Sequence, residues 1–232
     1  MNKIIISLML WMLVSPVQSG VMPSQSRVIF NASDRMQSLM LVNTNSYPVV
    51  VQTWADNGEG DPDVKNIPFI ILPPVFRLET GDVRGIRIVK NETSLAQDRE
   101  SLFWLNIYEM PPDTRMDKEN SVLVTMNTQI KIIYRPALVT TTPAESLAKL
   151  RCALQMKGLL KCSNHSANYL SISSISYLDK ENRVHSVKNG MLTFPPHAEV
   201  SIHENSMADS PARLIFTLIG DGGELTDISV NM

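Results

Sequence analysis

The stretch SVLVTMNTQIKIIY, Ser121–Tyr134, decides the architecture. Val122, Val124, Met126, Thr128 and Ile130 share one parity, while Leu123, Thr125, Asn127 and Gln129 share the other. The first row is apolar but for Thr128 and the second is largely polar, so the period is two rather than 3.6. Successive side chains of an extended strand point to opposite faces, and this is the pattern they leave. The run is also longer than an ordinary strand of about 5–6 residues.

Upstream of it, Arg27–Phe30, Ser38–Val42, Val49–Trp54, Gly85–Val89 and Leu102–Tyr108 are short segments rich in Val, Ile, Leu and aromatics. Turn-forming clusters separate them: Asn43–Ser46, Asp56–Gly58, Pro73-Pro74 and Thr80–Asp82. Downstream, the same texture predicts strands at Leu150–Leu154, Leu159–Cys162, Tyr169–Tyr177, Met191–Phe194, Glu199–His203, Arg213–Ile219 and Glu224–Val230. Many short strands at this spacing predict an all-β sandwich fold. No amphipathic helix is expected, and Ser94–Arg99 reads as one turn at most. Arg135-Pro136 and the Thr/Pro-rich Thr140–Pro143 suit an extended connector, so the chain divides into residues 20–139 and 140–232. The halves share no sequence repeat.

Residues 1–19 stand apart. Lys3, an apolar run from Ile4 to Val14, then Pro16, Ser19 and Gly20 make the pattern of a cleaved secretory signal. The apolar run is shorter than the about 20 residues that span a bilayer, so membrane insertion is not expected. The 232-residue chain carries a formal charge of −2 and no basic stripe, which removes the electrostatic footprint of a nucleic-acid partner. Cys152 and Cys162 are the only cysteines, and export takes them to an oxidising compartment. They flank Lys157-Gly158, a turn signal, so matched positions on a hairpin predict a disulfide between them. Metal and cofactor are not expected: the four histidines (165, 185, 197, 203) are scattered, and His165 alone cannot complete a zinc site with the cysteines. His203-Glu204 reads as solvated surface. Gly220–Gly223 lies between two strand candidates and reads as a hairpin turn rather than a phosphate loop. No nucleophile elbow or catalytic cysteine setting is present, so no enzyme is predicted.

Leu95–Pro112, LAQDRESLFWLNIYEMPP, carries the most specific signal. Its Asp98–Ser101 step, Trp104, Asn106 and the closing Met110-Pro111-Pro112 resemble the signature of the PapD-like periplasmic pilus chaperones. Ser26–Phe30, Pro73–Leu78 and Ile130–Pro136 are similar to further family segments. In the second half the likeness rests on Leu218–Gly223. The resemblance implies two immunoglobulin-like β-sandwich domains set at an angle with a cleft between them. It implies a periplasmic protein that caps fimbrial subunits lacking a final strand by lending them one, and delivers them to an outer-membrane usher. The competing reading is a secreted two-domain adhesin or structural subunit, which leaves Leu95–Pro112 unexplained.

By the resemblance, Arg27 and Lys131 grip the subunit's terminal carboxylate, which both side chains can reach with charge-assisted hydrogen bonds. Val122, Val124, Met126 and Ile130 form the donated row, each contributing about 1.5–3 kcal/mol if buried by a subunit. Glu100, Arg135 and Asp221 match an ionic link between the domains. Gln129 stands where the family often has another lysine. The short Pro111–Asn120 loop and the absence of cysteines in the first half resemble the short-loop class. An exposed apolar edge would also let two free copies cap each other.

Overall fold

The computed structural model describes residues 20–112, 124–156, 158–179, 181–188, 191–204, 211 and 213–230. The expected signal segment, Val122 and most of the Pro111–Asn120 loop lie outside the described residues.

The first sandwich begins with a strand broken in two. β1 (Val21–Pro23) and β2 (Arg27–Asn31) flank Ser24–Ser26, and the break lets them serve different sheets. β1 pairs antiparallel with β3 (Met36–Asn43), which pairs with β7 (Val83–Lys90), which pairs with β5 (Phe69–Leu72). β2 instead runs parallel to β9 (Met126–Arg135). That sheet continues through β8 (Ser101–Met110) and β4 (Val49–Asp56) to β6 (Val75–Leu78). Alternation supplies the core between the sheets. Leu39, Leu41, Ile86 and Ile88 come from one side, and Val51, Leu105, Ile107 and Ile132 from the other, all buried. Phe69 ties the sheets together, meeting Phe30 and Phe103 edge-on at 5.1 and 5.3 Å.

The second sandwich repeats the plan with fewer strands. β10 (Arg151–Met156), β11 (Leu159–Asn164) and β15 (Ala198–His203) form one sheet. β13 (Val184–Ser186), β12 (Leu170–Leu178), β16 (Arg213–Ile219) and β17 (Leu225–Val230) form the other, with β14 (Leu192–Phe194) on the start of β12. Leu160, Cys162, Ile172, Tyr177, Phe194 and Phe216 are buried in a core separate from the first. Cys152 and Cys162 are cross-strand partners and form a disulfide in that core. Gly158, at φ +76°, lies in the hairpin turn between them. Gly220–Gly223 is also a hairpin turn, closed by Gly220 N–H to the Glu224 carbonyl at 2.8 Å.

Three expectations change, and two strands not expected are found. The expected connector holds a helix, α1 (Pro143–Leu147), whose Thr142 and Glu145 form a capping box with Pro143 in its first turn. Pro143 favours the helix here, because its missing N–H falls in the first turn where no intrahelical bond is made. Ser94–Arg99 contains no helical turn. Pro73-Pro74 separates β5 from β6, two short strands that the broken apolar pattern concealed. Finally, among the described residues of the long run, regular pairing starts at Met126, leaving Val124 and Thr125 outside it.

The Cys152–Cys162 link closes a short loop and restricts the unfolded chain accordingly. Replacing both cysteines by alanine should lower the second domain's unfolding free energy by about 2–3 kcal/mol, read from denaturant titration.

Candidate functional site

The parallel pairing of β2 with β9 sets Arg27 directly beside Lys131. Both chains lie under the second domain, whose β12, β14 and the β16–β17 turn close over them. The cleft has a volume of about 590 Å³ and is lined by Arg27, Trp104, Lys131, Ser171, Thr193 and Leu225, among others. The Lys131 Nζ donates to Ser171 Oγ at 3.0 Å and to Thr193 Oγ1 at 2.6 Å, and lies 5.6 Å from the centre of the Trp104 ring. Ser171 and Thr193 are register partners on β12 and β14, so their hydroxyls reach the ammonium together. Arg27 is buried and donates from Nη1 to the Ile219 carbonyl at 3.0 Å. Its Nε is buried without a hydrogen-bond partner among the described residues. A buried donor in that state is costly unless a ligand satisfies it.

Burial, and then the charge of Arg27, push the Lys131 ammonium down to about 8. Burial lowers the Arg27 value as well, against the pull of Asp221 and Glu224. Because the folded value of Lys131 lies below its ordinary 10.5, burying this cation weakens the fold at every pH below about 8. The penalty fades as pH rises from about 8 towards 10.5. An anion in the cleft would remove much of it at neutral pH.

The cleft leads to an open strand edge. β8 pairs with β9 from Met126 to Tyr134, but β2 covers the other flank only from Lys131 to Arg135. No strand among the described residues pairs with residues 126–130 on that flank, so their outward backbone groups form an unoccupied template. Side chains on the inward parity change character along the strand. Tyr134, Ile132 and Ile130 are buried in the domain's own core, whereas Met126 is 41% exposed and Val124 is 73% exposed. Ile130 therefore leaves the expected outward row: at 6% exposure it is already packed at home. The apolar row continues past the end of its own sandwich, and only that overhang is free.

A partly buried ion network, with Glu100 fully enclosed, joins the domains at the foot of the cleft. Arg135 Nε meets Glu100 Oε1 at 2.5 Å, and its Nη1 and Nη2 meet the two oxygens of Asp221 at 2.6 and 3.0 Å. The three residues read together from the sequence do come together. Glu100 also accepts from Asn168 Nδ2 at 3.1 Å and Tyr169 N–H at 2.7 Å. Burial raises the Glu100 value despite Arg135 alongside. Asn168, Ser171, Thr193 and the Trp104 platform were missed as site residues. The three second-domain residues belong to no spacing motif, and only the docking of that domain gives them partners.

Two immunoglobulin-like sandwiches, hinged by this network around a cationic cleft, define the two-domain pilus-chaperone class of fold. The chain belongs to the pili and flagellar-assembly chaperones: the family's PapD N-terminal domain model matches residues 20–140. It is 30% identical to the chaperone protein FimC of Escherichia coli K12, covering 96% of this chain and 88% of that one. It is 29% identical to the chaperone protein FimB/FhaD of Bordetella pertussis, over 81% of this chain and 79% of the relative. The crystal structure of the YadV chaperone superposes with a TM-score of 0.79 at 25% identity, covering 92% of this chain and all of that one. The SafB chaperone, solved with the SafA pilin from Salmonella enterica, gives 0.79 at 25% identity, covering 94% of this chain and 99% of the other. The competing adhesin reading finds no support among these relatives.

Three outcomes follow from this geometry. In NMR titration Lys131 should lose its proton near pH 8 and should titrate higher when a peptide carboxylate is added. Peptide affinity should accordingly be greatest below pH 8 and fall as pH rises through it. Removing Arg135 would strand the Glu100 carboxylate, so Arg135→Met should cost about 3–5 kcal/mol in denaturant unfolding.

Proposed function

We propose that this chain captures pilus subunits in the periplasm by adding the open Met126–Ile130 edge to a subunit's incomplete sheet, with Arg27 and Lys131 holding the subunit's C-terminal carboxylate. The observation that carries the reading is the coincidence of three features on one strand. A free backbone edge, an apolar row that outruns its own core, and a half-buried cation whose charge burial disfavours occur within Val124–Lys131. Each supports a different part of the task. The edge supplies hydrogen bonds to unpaired backbone, and the overhang supplies apolar surface to a groove that would otherwise aggregate. The cations fix register, because a one-residue slip would turn Thr125 and Asn127 towards the groove.

Magnitudes divide the labour. Val124 and Met126 contribute about 1.5–3 kcal/mol each on full burial, before ordering costs. A charge-assisted hydrogen bond contributes about 1.5–3 kcal/mol, comparable to one of them. The work is binding rather than catalysis, and its natural continuation is transfer of the subunit to an outer-membrane usher. Residues 1–19 serve as the export signal, and residues 20–139 and 140–232 are the two domains. In the absence of a subunit, the same edge lets two copies cap each other.

Lys131 burdens the free fold, so function and stability should separate. Lys131→Met should leave the unfolding midpoint unchanged or raised, yet weaken subunit binding by about 10- to 150-fold; Arg27→Ala should weaken it similarly. Met126→Asp should abolish recovery of a chaperone–subunit complex from periplasm with both Arg27 and Lys131 intact. Undiminished complex from any of these variants would overturn the reading.

A further inference from the structure

The polar face of the open strand is as organised as its apolar one. On the outer face of the β2–β9–β8–β4–β6 sheet, three cross-strand rows stack: Asp56, Trp104, Lys131; then Trp54, Asn106, Gln129; then Gln52, Tyr108, Asn127. Asn106 occupies the centre and is fully buried, although it faces away from the sandwich core. Its Oδ1 accepts from Gln129 Nε2 at 2.8 Å and from Asn127 Nδ2 at 2.9 Å, both on the open segment. Its own Nδ2 donates to Asp56 Oδ2 at 2.8 Å.

Asp56 is also fully buried and gathers further donors. Gly58 N–H and Gly60 N–H each donate to it at 2.8 Å, and Trp54 Nε1 at 3.3 Å. These bonds fold the loop at residues 57–60 back over the sheet. Gly58, at φ +111°, packs so closely that a Cβ there would stand 3.0 Å from the Trp104 ring. A Cβ on Gly60, at φ +75°, would come within 3.9 Å of Gln129 and 4.0 Å of Asn127. The loop thus packs on the ring beneath Lys131 and borders the amide ladder, whose Asn127 and Gln129 stay exposed.

We propose that Asp56 is the positioning residue of the capture site, fastening the open segment through Asn106 and holding Trp104 against Lys131 through the loop it folds. The inference rests on the capture function proposed above. Its physical content is pre-organisation. A segment paired on one flank only frays readily, and a strand that frays must be re-ordered each time it is lent. Residues 126–130 lack a second strand to order them, and the Asp56–Asn106 ladder supplies side-chain bonds in its place. The polar row beside the apolar one is thereby explained: Asn127 and Gln129 are the rungs.

Hydrogen exchange on the free chaperone tests this without any subunit. In Asp56→Ala, those amides of residues 126–130 that bond to β8 should exchange at least about tenfold faster, while those of β3 and β7 change little. Leu39→Ala, which opens a cavity on the opposite sheet, should speed exchange across the domain without singling out that segment. Asn127→Val with Gln129→Val cuts the rungs and leaves the buried carboxylate intact, and should reproduce the selective loss even if Asp56→Ala fails to fold. Uniform acceleration in Asp56→Ala, or full protection of the amides bonded to β8 in the double variant, would overturn the proposal. Failure of the wild type to bind subunits would instead overturn the capture function and leave the exchange result standing.

Discussion

Two cations are forced together by a backbone ladder. Arg27 and Lys131 are register partners on adjacent parallel strands, so neither can leave without breaking the β2–β9 pairing. Burial strips the Lys131 ammonium of water and the like charge of Arg27 adds repulsion, which is why it falls to about 8. The break at Ser24–Ser26 makes the juxtaposition possible, since it lets the first strand leave the β3 sheet and run beside β9. The same switch sets how far β2 covers β9, and so where the open edge begins. One topological choice therefore places both the anchor and the template.

The opposite charge is kept one step away. Asp221 is held by both Nη atoms of Arg135, and Glu100 by its Nε, so these two carboxylates are engaged in the domain junction. Arg135 lies at the end of β9, four positions from Lys131, and β9 thereby carries junction, anchor and open edge in sequence. Such a network is weak evidence for net stability, but removing one member strands a buried charge. Its contribution is geometric: it holds Ser171 and Thr193 of the second domain where Lys131 meets them. The second domain completes the pocket as well as bracing the first.

Much of this was readable from residues alone. Alternation located most strands, the matched cysteines forecast the hairpin disulfide, and Leu95–Pro112 pointed to the fold and to Glu100 in the junction. Errors arose where local signals conflicted or a neighbour decided. The capping box at Thr142–Glu145 and Pro143 in the first turn favour a helix, whereas the Thr/Pro composition suits an extended connector. Ile130 was grouped with Met126 because both have the same parity. Parity selects a face of the sheet, but it does not tell how far the opposite sheet extends to cover it.

That distinction separates what the chain encodes locally from what its folding adds. Period-two patterning, turn residues and paired cysteines determined an all-β, two-sandwich protein, because each depends on neighbours a few residues away. The tertiary structure alone decided where the core ends along β9, which flank of that strand stays unpaired, and which second-domain polar groups close on Lys131. Those features arise from contacts between residues 40 to 192 positions apart, such as Lys131 with Ser171 and Arg27 with Ile219. No local pattern carries such contacts, because a side chain's own neighbours leave its distant partner unspecified.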